Sequence, residues 1–85
     1  MVKQEQAVNH IHGLLMQRGV DITSRKLTVS DNQQWTLFER GERQIAIDID
    51  SGIWLRESIN HEWRCVATPH SLSSALIAVE FLTNS

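Results

Sequence analysis

Cysteine is nearly absent. Cys65 stands alone in 85 residues, so no internal disulfide can staple the fold and no Cys-rich zinc site can form. Small domains often draw stability from disulfides, metals or oligomerisation, and oligomerisation is the natural supplement left. Long apolar runs are missing as well. No stretch approaches the ~20 residues that span a bilayer, and "MVKQEQAVNH" has no apolar segment of signal-peptide length. No membrane partner is expected, and the cytoplasm is the expected location. Surplus positive charge is also lacking: eight Lys and Arg stand against ten Asp and Glu, a formal charge of −2. General attraction to phosphate is therefore not built in. One proline and four glycines leave no Pro- or Gly-rich linker, and no repeat or low-complexity tract divides the chain.

What is present is ordinary globular material, 41% hydrophobic and 21% charged, enough for one small domain over residues 1–85. Ala7, Val8, Ile11, Leu14 and Leu15 follow the spacing of one apolar helical stripe. That spacing predicts a helix over about 3–18, ended by Gly19. From Arg25 to Ala67 the period becomes two, predicting strands at about 25–30, 34–39, 43–49, 53–57 and 62–67. The connections "SDN", "RGE", "DSG" and "SINH" are short enough to join only antiparallel neighbours. Thr68 as cap and Pro69 at a first helical position open a second helix over about 70–83. The expected fold class is α+β: a five-stranded antiparallel β-meander flanked by an N-terminal and a C-terminal helix, both packed on one sheet face.

Turn length sets which side chains share a face. A three-residue loop in "DIDSGI", with Gly52 left-handed, pairs Ile49 with Ile53 and collects Ile45, Ile47, Ile49, Ile53 and Leu55 on the core face. Three-residue loops at the two earlier turns add Trp35, Leu37 and Leu27. In the last hairpin an odd loop, Ser58 to Asn60, sends Trp63, Cys65 and Ala67 into the core. The four-residue loop "SINH" turns Trp63 and Cys65 outward instead. The odd loop is preferred because it gives the core a large side chain on the last strand. Either way Trp54 and Arg56 face outward.

Two surfaces are candidates for function. Phe38, Trp54, Arg56 and Arg64 on the open sheet face suit a protein contact, since Trp and Arg are enriched at binding hot spots. They also suit base stacking with arginines for phosphate. The bland alternative is that the tryptophans simply pack on neighbouring arginine stems. On the C-terminal helix Leu72, Ala75, Leu76, Val79 and Leu82 form the docking stripe. Ser74, Ile77, Ala78 and Phe81 then lie on the far side, an apolar face with no reason to meet water.

The chemistry of enzymes is not visible. His10 and His12, two apart on a helix, diverge. His61 and Cys65 have Trp63 between them and lack further metal ligands. Cys65 lacks a placed base and oxyanion site. Asp48 and Asp50 ahead of Ser-Gly read as turn chemistry rather than a catalytic pair. No phosphate loop or nucleophile elbow occurs. Six of the eight basic residues (Arg25, Lys26, Arg40, Arg43, Arg56, Arg64) are interleaved with Glu39, Glu42, Glu57 and Glu62, the pattern of a solvated surface. No catalytic residue, cofactor or metal is expected.

The order helix, antiparallel meander, helix, with "NHEWRC" before the final helix, resembles the frataxin plan in outline. That family's first helix is acidic for iron, whereas "KQEQAVNHIHGLLMQR" has only Glu5, so the resemblance carries over no iron site. The sheet followed by a helix is also similar in outline to some small DNA-binding domains. The leading expectation is a small non-catalytic module that contacts itself, as a homodimer or larger, or another protein. A nucleic-acid-binding regulator is the alternative.

Overall fold

The computed structural model describes residues 3–84. The chain runs α1 (Lys3–Arg18), β1 (Thr23–Thr28), a 3-10 turn (Ser30–Asn32), β2 (Gln34–Arg40), β3 (Arg43–Ile47), β4 (Ile53–Arg56), β5 (Arg64–Ala67) and α2 (Leu72–Thr83). The strands form one antiparallel sheet in sequence order. Ala7, Ile11 and Leu15 of α1 and Ala75, Ala78, Val79 and Leu82 of α2 close over Phe38, Ile45, Ile47, Ile53 and Leu55. The α+β class and the helix-covered isoleucine face are as expected. No helix among the described residues is long and apolar enough to cross a membrane.

The turns differ from expectation, and they redistribute the faces. β2 and β3 are joined by Gly41 and Glu42 alone, with Arg40 paired to Arg43. Gly41 has φ 61, the left-handed first position of a two-residue hairpin whose twist matches its strands. An even loop inverts parity. Phe38 therefore pairs with Ile45 and is core, while Leu37 pairs with Ala46 on the opposite face. The β1–β2 connection is odd, so Leu27 and Trp35, paired with each other, follow Leu37 to that face. Phe38 is thus removed from the open face, and Trp35, Leu37 and Leu27 are added to it.

Between β3 and β4, Ile47 pairs with Ile53. The loop covers 48–52, and Ile49 is left exposed. Ser51, not Gly52, is left-handed, with φ 60. The cause is Asp48, whose Oδ1 accepts N–H bonds from Asp50 (2.9 Å) and Gly52 (2.7 Å) and so ends the strand two residues early. Gly52 is needed for space: a Cβ there would press on Asp48 Oδ2 and stand 2.6 Å from Thr68 Oγ1.

In the last hairpin Trp54 pairs with Cys65 and Leu55 with Arg64, with an irregularity that brings Ile53 opposite Ala67. The odd loop does not form. Trp63 and Cys65 stay out of the core, and Arg64 takes the parity of Leu55, away from the open face.

α2 is seated differently from its leucine pattern. Ser71 is the N-cap, its Oγ accepting from Ser74 N (3.2 Å), while Ser74 Oγ accepts from Ser71 N (2.7 Å). Thr68 does not cap. Ser74 is drawn inward by this bond, and the small Ala75 and Ala78 let the helix sit close to its neighbours. No basic residue lies in the helix's last turn, so the β2–β3 hairpin supplies the cations its carbonyl end favours. Arg43 donates to the carbonyls of Phe81 (2.7 Å) and Asn84 (3.0 Å), and Arg40 to Thr83 (2.9 Å). Arg43 also stacks on the Phe81 ring at 4.9 Å. Held at both ends, the helix buries Ser74 and Ala78 and turns Leu72 and Leu76 to water.

Candidate functional site

The open sheet face is built on a floor of Leu37 and Ala46, both fully buried. Trp54 and Trp35 lie over this region, stacked at 5.6 Å between centroids and 27° between planes. Trp54 Nε1 donates to Asp48 Oδ2 at 2.8 Å, so the loop carboxylate holds both its own turn and the indole. Beside the rings runs a polar file. Arg25 Nε donates to Glu39 Oε1 (2.8 Å), Gln44 Nε2 to Glu39 Oε2 (2.6 Å), and Arg56 Nε to Gln44 Oε1. Arg56 in turn lies over the Trp63 ring at 4.3 Å. The Arg25 hydrogen bond, then that of Gln44, holds the Glu39 carboxyl below its ordinary range. The charges bonded across this face, Arg25, Arg56, Glu39 and Asp48, sum to zero. Trp35 Nε1 is buried without a hydrogen-bond partner among the described residues.

The outward side of α2 is the second surface. Leu72 is 64% exposed, Leu76 38% and Ile77 52%. The helix has one charged residue in twelve, Glu80, which pairs with Arg18 of α1 at 2.7 Å. Arg18, then Asn84, holds the Glu80 carboxyl below its ordinary range by hydrogen bonding. Of the four residues expected on this face, Ile77 is exposed, Phe81 is half-buried under Arg43, and Ser74 and Ala78 are interior. Of the four expected on the sheet face, Trp54 and Arg56 are there and Phe38 and Arg64 are not. Trp35, Leu72 and Leu76 were missed. The Gly-X hairpin signal in "RGER" could have found the first, and the small-residue row Ser74, Ala75, Ala78 the other two.

The remaining polar groups are dispersed. His10 lies against His70 (5.7 Å between centroids) and His12 against Phe38 (6.0 Å), so the two histidines diverge as helix geometry requires. No group of three metal-ligating side chains gathers among the described residues. Ser58 Oγ and His61 Nδ1 are 2.7 Å apart inside one turn. A hollow of ≈ 530 Å³ at the β2–β3 turn is open to solvent and lined by Arg40, Gly41, Glu42, Arg43 and Glu57, and both arginines are engaged by α2. No protein-family model, curated protein or solved structure matches the chain.

Proposed function

We propose that the chain is a small, non-catalytic contact module that joins a protein surface, its own copy first, through the outward side of α2. The observation that supports this is the exposure of Leu72, Leu76 and Ile77 on a helix with a single charge. A helix side that faces water is ordinarily charged and polar, and covering such side chains stabilises by about 1.5–3 kcal/mol each when complete. Base stacking on the sheet face has less support. Trp54 lies on Trp35, Trp63 lies beneath Arg56, and the face has no net charge to offer phosphate. A free, exposed Cys65 suits a reducing compartment such as the cytoplasm. Light scattering over a concentration series tests the reading. A mass rising above 9.7 kDa is expected, and a constant 9.7 kDa would remove self-association from it.

A further inference from the structure

His10 of α1 and His70, which precedes the Ser71 cap of α2, lie ring against ring, with centroids 5.7 Å apart and planes crossed at 64°. His70 Nδ1 is buried and has no hydrogen-bond partner among the described residues. No hydrogen bond among them holds the His10 ring either. A buried polar atom without a partner is rare in a folded chain and calls for an explanation. We propose that the two rings form a site for a divalent transition ion of the kind imidazole prefers, Zn²⁺ or Cu²⁺, which clamps α1 to the start of α2.

Two imidazoles that share a tetrahedral zinc, each at a Zn–N distance of about 2.1 Å, hold their centroids about 5 Å apart. The observed 5.7 Å is close to that spacing. One ring presents its edge to the face of the other. A turn of the His10 ring about its second side-chain torsion, which is broad for imidazole, brings a nitrogen of each onto one ion. The backbone beneath both is already fixed. His70 N donates to Ser51 Oγ at 3.4 Å, and the Ser71–Ser74 capping box holds the chain just beyond. Ala7 and Ile11, on either side of His10, are fully buried. Asp48, in the same loop as Ser51, does not complete the set, because its oxygens accept from Asp50 N, Gly52 N and Trp54 Nε1. No third metal-ligating side chain joins the pair among the described residues, so water fills the other positions. The positive end of α2 also opposes a cation here. The ion is therefore held reversibly, unlike one in a closed structural zinc site.

The test uses the full chain in a Cys65→Ser background, which removes the exposed thiol as a competing ligand. Isothermal titration with zinc sulfate should show one ion per chain, with copper(II) bound more tightly and magnesium not at all. The melting temperature should rise with zinc and fall back with EDTA. His10→Ala and His70→Ala should each weaken zinc binding by at least about tenfold, the smallest loss seen when only a supporting partner of a ligand is removed. His12→Ala and His61→Ala should leave it unchanged. In NMR spectra with all four histidines present, zinc should move the ring signals of His10 and His70 alone, a readout that stands even where a variant fails to fold. Three results would each overturn the proposal: no zinc binding, binding undiminished in His10→Ala or His70→Ala, or ring signals that move at His12 or His61 instead.

Discussion

On the helix-free face of the sheet the large side chains have found partners within the chain: Trp54 rests on Trp35 and bonds Asp48, and Trp63 lies under Arg56. On the outward side of α2, Leu72, Leu76 and Ile77 remain in water. The first face is richer in the residue types of binding hot spots, yet its rings are stacked and its charges bonded, with the Trp35 indole N–H left without a partner among the described residues. The second has ordinary aliphatic residues left exposed by the described residues. Residue type alone therefore favours one surface, whereas what each side chain already touches favours the other.

If the sheet face is a finished outer layer, truncating it should cost folding stability, and truncating the α2 ridge should not. The largest effect is expected for Trp54→Ala, about 3 kcal/mol lost in urea unfolding, against a change within about 0.5 kcal/mol for Ile77→Ala in the monomer. Equal losses for the two would erase the distinction. Gly52→Ala attacks the same layer from below, because its Cβ would push on the Asp48 carboxylate that holds Trp54. A loss of about 2 kcal/mol is expected, with a change in the tryptophan emission. Ser71→Ala removes the cap that seats α2, and thermal unfolding should show a loss of about 1 kcal/mol.

The smallest effect concerns the polar file. Glu39 is held below its ordinary value of 4.5, mainly by Arg25. Its contribution is therefore complete above that value and lost as pH falls through the lower folded one. The pair is partly exposed, so the contribution is below about 1 kcal/mol. Unfolding curves of Glu39→Gln between pH 5 and 3, taken as about the range of a depressed carboxyl, should be correspondingly flatter than those of the wild type.

Element order and the isoleucine face were legible because periodicity reports burial directly: Ile45, Ile47, Ile53 and Leu55 alternate, and Ile11 and Leu15 recur at helical spacing. The side assigned to Trp35, Leu37 and Phe38 was not, because one residue of turn length at Gly41–Glu42 inverts the whole strand. The rotation of α2 was not legible either. Its leucines are the more hydrophobic residues, but the cap at Ser71–Ser74 and the grip of Arg40 and Arg43 on its carbonyl end come from bonds that apolar periodicity does not record. Trp54 was placed outward whatever the loop. The Trp35 stacked on it depended on the turn.

The most direct measurement is a concentration series of amide and indole N–H NMR spectra. Shifts that move with concentration should be confined to residues 72–80 and the neighbouring Arg18, with the indoles of Trp35, Trp54 and Trp63 unchanged. Movement of those indoles, with a still α2, would contradict the division between a finished sheet face and an unfinished helix face.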